Sequence, residues 1–223
     1  MNAIAVLGGS FNPLHVGHLR LAIEIHEAFG PLLERVDILP TAHPPHKLEQ
    51  YVLPFSVRVE LIGEAVAPYP WLRCNPLEGE RESPSYTWDT LGLYQEREPG
   101  KEIFFVLGSQ DYVQLPGWYH GLDIPRRCTL VVAPRGFYRP EQFIWDTQHM
   151  WPDTRLGTPL TANGLCMEGS CGRIIFQPLP WLEVSASLIR ERWLLGRCID
   201  YLVPMGVSRM LESRREEIRH LWS

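Results

Sequence analysis

The sequence has no excess of positive charge and no long hydrophobic run. Its 223 residues include 21 lysines and arginines against 26 acidic residues, which gives a net charge of −5. Because no general positive field exists to hold a phosphate backbone, the composition argues against nucleic acid as a partner. No stretch approaches the roughly 18 apolar residues that cross a membrane, and the amino terminus lacks the basic start of a signal peptide. We therefore predict a cytoplasmic protein that binds neither nucleic acid nor a membrane.

Cysteine is scarce, and its five positions are scattered at residues 74, 128, 166, 171 and 198. An odd and dispersed set is typical of reduced thiols in a reducing compartment and not of a disulfide framework. Cys166 and Cys171 form the one close pair, but their spacing is wider than a CxxC zinc half-site and no second pair follows. We therefore predict no resident metal.

The sequence also lacks both common glycine-rich phosphate motifs, the GxxxxGK P-loop and the GxGxxG fingerprint. It has instead GGSFNPLHVGH at residues 8–18, directly after the apolar run AIAVL. Gly8 and Gly9 let the backbone approach a ligand, and free amides at the start of the next helix attract anions. His15 and His18 could bind a metal or donate hydrogen bonds to phosphate oxygens. Their spacing alone does not decide between these roles.

Short apolar runs alternate with helical periods along the chain. We predict strands at 3–9, 35–41, 71–77, 102–108, 128–134 and 172–177, and helices at about 17–29, 56–65 and 86–95. This alternation indicates a Rossmann-like α/β fold with a doubly wound parallel sheet. Ligands of such sheets bind at the carboxyl ends of the strands. We therefore expect the glycine and histidine loop, PPHK, and the loops after Gly108 and Pro134 to share a cleft.

We predict one domain over residues 1–223. Residues 136–171 are rich in Pro, Gly, Trp and Thr without a clear period, which predicts a long surface insertion. Residues 186–223 are predicted to be a small C-terminal helical region. Near its end, Met210, Ile218 and Leu221 stand among dense alternating charges, a pattern that favours a solvated terminal helix.

The stretch GGSFNPLHVGH resembles the GxFxPxHxGH signature of the HxGH nucleotidyltransferases, which make precursors of NAD, coenzyme A and CDP-glycerol. Four further stretches carry the resemblance in the family's order. SPSYT and the stretch that ends in Trp118 and Tyr119 are similar to the branch of bacterial nicotinate-nucleotide adenylyltransferases. The four stretches are PPHK (44–47), SPSYTWDTL (83–91), FFVLGSQDYVQLPGWY (104–119) and VSASLIRER (184–192).

The resemblance implies a reaction without a protein nucleophile. The 5′-phosphate of nicotinate mononucleotide would attack the α-phosphorus of ATP, so that deamido-NAD forms and pyrophosphate leaves. Catalysis would then consist of positioning two anions and neutralising the leaving group, with Mg²⁺ accompanying ATP. The implied place of the enzyme is NAD biosynthesis.

The resemblance assigns the histidine motif and VSASLIR to ATP. His15 and His18 would be the catalytic residues, with His18 stabilising the transition state. Ser185 or Ser187 could cap a helix that faces the phosphates, and Arg190, one turn on, could reach phosphate oxygens. The predicted ATP-binding residues are Gly8, Gly9, Ser10, Phe11, Ser185, Ser187 and Arg190.

A second group is assigned to nicotinate mononucleotide. Trp118 and Tyr119 offer flat faces for the pyridine ring, although aromatic residues in a tryptophan-rich chain are often core residues. The backbone around Tyr86 and Thr87 could donate hydrogen bonds to the pyridine carboxylate. The predicted substrate-binding residues are His46, Lys47, Tyr86, Thr87, Asp111, Trp118 and Arg135.

The chain departs from the family at one notable point. The family has GxD before the tryptophan, whereas Gly108 and Asp111 are separated here by Ser109 and Gln110, one residue too many. Either the loop bulges and Asp111 keeps its role, or Gln110 takes the position. Ser187 also replaces a usual threonine, a change that keeps the hydroxyl.

Three other functions fit part of the pattern. The same transfer could act on nicotinamide mononucleotide or on phosphopantetheine, and a nucleotide-binding regulator could keep the cleft without catalysis. A class I aminoacyl-tRNA synthetase also has an HxGH-like motif, but this chain is short and acidic and lacks a KMSKS-like loop. The preference for acid or amide mononucleotide and the oligomeric state stay open.

Overall fold

The computed structural model describes residues 2–44, 52–180 and 182–223. Within these residues eight strands form one sheet in the order β3-β2-β1-β4-β5-β8-β7-β6. β1 pairs with β4, β4 with β5, and β5 with β8 in parallel, whereas β7 is antiparallel to both β8 and β6. The strands are β1 Ala3–Gly9, β2 Leu33–Pro40, β3 Leu72–Cys74, β4 Glu102–Gly108, β5 Thr129–Ala133, β6 Arg155–Leu156, β7 Leu165–Gly169 and β8 Gly172–Phe176.

The described residues also form eight α-helices, and the order β3-β2-β1-β4-β5 gives the sheet its Rossmann-like topology. The predicted fold class is thereby confirmed. No helix in the described part of the chain is long and apolar enough to cross a membrane. The helices are α1 Val16–Phe29, α2 Phe55–Val66, α3 Thr87–Arg97, α4 Ser109–Tyr112, α5 Pro140–Met150, α6 Ala186–Leu194, α7 Met205–Ser213 and α8 Arg215–Trp222.

The central strands are the continuous apolar runs that the sequence indicated. The first five residues of β1 and all five residues of β5 are buried, as a strand covered on both faces requires. α1 buries Ala22, Ile25 and Phe29 at helical spacing. It ends where Gly30 adopts a positive φ of 41°, a conformation that glycine reaches without a steric penalty.

Residues 136–171 have more regular structure than the sequence suggested. They contain α5 and the strands β6 and β7, which extend the sheet beyond β8. α5 was missed because only a few of its residues are apolar, so its period is weak; Phe143 and Thr147 are its buried residues. β6 has two residues, too few for an alternating pattern to be recognised.

The prediction of one solvated terminal helix was wrong. The segment forms two helices, α7 and α8, and both bury apolar side chains. Ile218 and Trp222 of α8 are 1% and 5% exposed. The charged residues occupy the other face of a short amphipathic helix, which the dense charge of the sequence obscured.

The chain divides into two compact units, each made of segments that are separate in sequence. Unit 1 comprises Met1–Leu7, Glu24–Val36 and Tyr86–Pro180, and unit 2 comprises Gly8–Ile23, Asp37–Ser85 and Trp181–Ser223. Unit 2 therefore contains the histidine motif and the helices α2, α6, α7 and α8. Unit 1 contains α3, α4, α5 and the strands from β4 to β8.

Candidate active site

The turn after β1 depends on two glycines. A Cβ on Gly9 would lie 3.2 Å from the ring of Phe11, and a Cβ on Gly17 would lie 3.0 Å from Nδ1 of His15. Both distances are tighter than ordinary carbon contacts, so larger residues would push the rings away. Phe11 itself has a positive φ of 43° and is buried, and its ring meets that of His18 edge-on at 4.9 Å. The glycines of the motif therefore make room for its aromatic side chains.

The two histidines of the motif stack on each other. Their ring centroids are 3.6 Å apart with 25° between the planes. His15 is 4% exposed, whereas His18 is only half-buried. The backbone N–H of His15 donates to Nδ1 of His18 at 3.3 Å. Because Nδ1 accepts, the neutral His18 ring carries its proton on Nε2, and Nε2 is therefore the nitrogen that donates.

The serine motif forms the start of α6. Ser185 is the N-cap, and its Oγ accepts from the backbone N–H of Leu188 at 3.2 Å. Ser187 lies inside the helix, where its Oγ accepts from Nη2 of Arg190 at 3.2 Å. Of the two serines, Ser185 is thus the cap and Ser187 orients the arginine.

Arg190 connects α6 to the histidine motif within unit 2. Its Nη1 donates to the backbone carbonyl of Asn12 at 2.8 Å. Partial burial lowers the pKa of Arg190 from its usual value. A guanidinium has five N–H donors, so donors remain for ligand oxygens. We call His15, His18, Ser187 and Arg190 the phosphate cluster.

A buried arginine that sequence reasoning missed holds the loops near the phosphate cluster. Arg58 of α2 is 1% exposed and donates to the carbonyls of Ser10, Thr41 and Leu53 at 2.8 to 3.0 Å. Burial lowers its pKa to about 10, opposed by the charge of Glu78, so the guanidinium stays protonated at neutral pH. One charged side chain therefore fixes the turn after β1 and the loop after β2. The signal in the sequence was weak, a single charge beside the apolar face of α2.

The start of the PPHK loop is anchored to the SPSYT motif. His43 and Ser85 form two hydrogen bonds: the His43 N–H donates to Ser85 Oγ at 2.9 Å, and the Ser85 N–H donates to the His43 carbonyl at 3.0 Å. His46 and Lys47, the predicted ligands of this loop, lie outside the described residues.

Unit 1 contains a group of neighbouring aromatic rings and one arginine that we call the aromatic cluster: Tyr86, Trp88, Tyr119, His120 and Arg127. The rings of Tyr86 and Tyr119 are 4.6 Å apart, and those of Trp88 and His120 are 5.2 Å apart and nearly parallel. Arg127 lies 3.6 Å above Trp88 and donates to its carbonyl at 2.9 Å. Tyr119 is about half exposed and Tyr86 half-buried, so this cluster reaches the surface.

The extra residue before Asp111 is absorbed by a helical turn. Gly108 ends β4 and is the N-cap of α4, which runs from Ser109 to Tyr112. The N–H of Arg135, just after β5, donates to Ser109 Oγ at 3.0 Å. A cavity of about 480 Å³ opens beside this turn, and Gln110, rather than Asp111, lines it together with Ser109 and Arg135.

Helix α5 supports this turn from within unit 1. Tyr112 is fully buried, and its hydroxyl forms a 2.6 Å hydrogen bond with Thr147 Oγ1. Its ring packs 5.7 Å from that of Phe143 and 6.4 Å from that of Trp151. The 136–171 segment therefore holds the turn that carries Gln110 and Asp111.

The described residues include no group of three or more His, Cys, Asp or Glu side chains that could hold a metal ion. The five cysteines are all free. Burial raises the pKa of the Cys166 and Cys171 thiols to about 11, so both are protonated at neutral pH. Buried thiols in this state are poor nucleophiles and poor metal ligands.

Comparison with known proteins places these features in a family. Residues 6–192 match the family described as cytidylyltransferase-like. A probable nicotinate-nucleotide adenylyltransferase from Pelobacter propionicus is 35% identical, over 95% of this chain and 96% of its own length. One from Pseudomonas putida is 34% identical, over 94% and 92% of the two chains.

Solved structures share the fold. Nicotinic acid mononucleotide adenylyltransferase of Plasmodium falciparum, solved in complex with NaAD, superposes with a TM-score of 0.72 at 16% identity and covers 98% of each chain. A putative nicotinate-nucleotide adenylyltransferase from Vibrio parahaemolyticus gives a TM-score of 0.63 at 17% identity, over 100% of this chain and 96% of its own.

Proposed function

The chain belongs to the cytidylyltransferase-like family, and on this premise we propose that it is a nicotinate-nucleotide adenylyltransferase of NAD biosynthesis. It transfers the adenylyl group of ATP to nicotinate mononucleotide and releases pyrophosphate. The observation that carries this proposal is the phosphate cluster, in which His18 Nδ1 accepts the backbone N–H of His15 and so leaves Nε2 as the donor. The similarity to curated relatives over nearly the whole chain supports the choice of acceptor.

In the proposed reaction the phosphate of nicotinate mononucleotide is the nucleophile. A bond forms between one of its oxygens and the α-phosphorus of ATP, and the bond from that phosphorus to the bridging oxygen breaks, so pyrophosphate leaves with its electron pair. The attacking phosphate is already an anion, so no base has to remove a proton. The enzyme contributes position and charge neutralisation.

The residues of the phosphate cluster have distinct tasks in this reaction. His18 Nε2–H donates to an oxygen of the ATP phosphates on which charge builds up in the transition state. His15, buried beneath it, fixes the orientation of the His18 ring. Arg190 adds fixed positive charge, and the free amides at the start of α6 attract the same phosphates.

Mg²⁺ enters this reaction as part of the substrate, bound to ATP. The phosphate cluster consists of imidazole, hydroxyl and guanidinium groups, which suit phosphate oxygens and not a hard cation. Phosphate oxygens and water therefore supply most of the ligands of Mg²⁺. The ion adds charge neutralisation on the leaving pyrophosphate.

For nicotinate mononucleotide we propose the residues of unit 1 that the resemblance indicated. The start of α3 at Tyr86 and Thr87 presents backbone N–H groups that suit the pyridine carboxylate, and Trp118 offers its ring face. Arg135 beside the cavity provides a cation for an anionic group of the mononucleotide. The lining of that cavity favours Gln110 over Asp111 for the GxD position.

We propose the cytoplasm as the compartment, which five free cysteines support. ATP and nicotinate mononucleotide are the partners that the proposal requires.

A pyrophosphate-release assay tests the proposed function. Purified protein is incubated with ATP and Mg²⁺ together with nicotinate mononucleotide, nicotinamide mononucleotide or phosphopantetheine in separate reactions. We expect rapid release with nicotinate mononucleotide and deamido-NAD as the second product. Faster release with another acceptor would reassign the substrate. If the protein binds ATP but releases pyrophosphate in none of the reactions, it is a nucleotide-binding regulator and not an enzyme of this class.

A further inference from the structure

A buried indole in α8 reaches the turn that carries the catalytic histidines. Nε1 of Trp222 donates to Oδ1 of Asn12 at 3.3 Å, across 210 positions of sequence. Both residues are 5% exposed. The same oxygen accepts from the backbone N–H of Leu53 at 3.1 Å, so its two lone pairs each have a donor. Buried bonds of this kind are protected from competition by water.

The backbone of Asn12 bonds one member of the phosphate cluster and adjoins the residue that contacts a second. Its carbonyl accepts from Arg190 at 2.8 Å. The preceding residue, Phe11, meets His18 edge-on, and His15 follows three positions later. A shift of the Asn12 backbone would therefore reach Arg190 through its hydrogen bond and His18 through the adjoining Phe11 ring.

Trp222 is itself held in place by its neighbours in unit 2. Its ring packs edge-on against Trp193 of α6 at 5.2 Å. Trp193 donates from Nε1 to Glu212 of α7 at 2.8 Å, and the Arg215 guanidinium lies 4.9 Å above its ring. The indole of Trp222 therefore approaches Asn12 from a rigid support.

We propose that Trp222 is a positioning residue of the phosphate cluster, acting through its hydrogen bond to the Asn12 side chain. This inference rests on the proposed function for its catalytic consequence. Trp222 does not touch the substrate. It orders the backbone from which the histidines project, so its loss lowers the rate of the chemical step and leaves the pyridine site intact.

The test replaces Trp222 with phenylalanine, which keeps a buried ring and removes the N–H. Trp193→Phe is the matched control, because it removes an indole donor of equal size from the same packed pair, one that bonds Glu212 and not Asn12. We expect W222F to lower kcat about 3- to 10-fold with the KM for nicotinate mononucleotide unchanged. We expect W193F and W222F to lower the melting temperature by similar amounts, but W193F should keep kcat within about 2-fold of the wild-type value.

A double-mutant cycle then assigns the effect to Asn12. Asn12→Ala should lower kcat at least as much as W222F, and W222F should add nothing in the Asn12→Ala background. Asn12→Asp keeps an oxygen acceptor for both donors and should retain kcat within about 3-fold. This pair of Asn12 variants also tests the proposal if W222F does not fold.

Several outcomes would overturn the inference. These are an unchanged kcat in W222F, an equal loss of kcat in W193F, additive effects in the cycle, or an Asn12→Asp variant as defective as Asn12→Ala. If the wild-type protein turns over no acceptor, the proposed function fails separately. Calorimetric binding of ATP with Mg²⁺ then replaces kcat, and W222F should bind about 3- to 10-fold more weakly than W193F.

Discussion

The phosphate cluster and the aromatic cluster are held in place by different means. Around the phosphate cluster the supports are buried polar groups, such as Asn12 and Arg58, that bond backbone atoms of the loops. In the aromatic cluster the supports are ring stacks and a cation above a ring, with Tyr119 about half exposed. A buried hydrogen bond fixes an atom within a few tenths of an ångström, whereas a stack lets the rings slide.

This difference matches the tasks that we propose for the two clusters. Stabilising a transition state requires donors that are fixed before the reaction begins, because reorganisation would cost free energy at that moment. Recognition of a flat ring tolerates small shifts. Substitutions in the phosphate cluster should therefore affect kcat, substitutions of its buried supports should affect stability most, and substitutions at the proposed pyridine site should affect KM.

The largest expected effect on stability is at Arg58. Arg58→Met removes the donor to three buried carbonyls and the cation beside Glu78, so we expect the free energy of unfolding to fall by about 3–5 kcal/mol. Arg127→Met removes a partly exposed cation–π contact and one hydrogen bond, and should cost about 1–2 kcal/mol. Urea unfolding of the two variants measures both losses in the free energy of unfolding. Equal losses would contradict the distinction between buried and surface supports.

The largest effect on turnover is expected at His18. His18→Ala removes the donor that we propose for the ATP phosphates, so kcat should fall about 10²- to 10³-fold with the melting temperature nearly unchanged. His26→Ala, on the same helix, is the matched control and should keep kcat within about 2-fold. Steady-state pyrophosphate release checks both. A stable His18→Ala protein with nearly full activity would remove His18 from the mechanism.

For the proposed pyridine-binding residue of unit 1, we expect a substitution to change KM more than kcat. Trp118→Ala should raise the KM for nicotinate mononucleotide by up to about 10-fold and change kcat less than about 3-fold, because a ring stack contributes roughly 0.5–1.5 kcal/mol. Trp145→Ala, at an exposed tryptophan of α5, is the control and should change neither constant. A loss of kcat without a change in KM in Trp118→Ala would place this residue with the catalytic group.

The smallest expected effect on KM tests whether Gln110 or Asp111 fills the GxD position. Gln110 lines the cavity beside Arg135, so Gln110→Ala should raise the KM for nicotinate mononucleotide about 3- to 10-fold. Asp111→Ala should raise it by less than about 2-fold. Titration of initial rates with the mononucleotide compares the two variants. A larger rise in KM for Asp111→Ala than for Gln110→Ala would show that Asp111 fills the GxD position.

The sequence predicted the regular parts of the fold well and the irregular parts poorly. β1, β4 and β5 were predictable because strands buried on both faces are continuous apolar runs. α5 and α8 were not, because one has few apolar residues and the charges of the other hide its apolar face. Both depend on tertiary packing more than on local pattern.

The candidate site shows the same division. His15, His18 and Arg190 could be proposed from the sequence because they stand in short motifs, and their roles stay predictions. Arg58 and Trp222 were not, because each acts on backbone or side-chain atoms that are distant in sequence. A single sequence carries no sign of such contacts.

The sequence by itself determined the fold class and the residue types of the phosphate cluster, since periodicity and residue type follow directly from the order of amino acids. The tertiary structure alone decided which nitrogen of His18 accepts the His15 N–H, which serine caps α6, and that the indole at position 222 bonds the Asn12 side chain. These are matters of distance and angle between groups that meet only in the folded chain, and hydrogen bonds depend steeply on both.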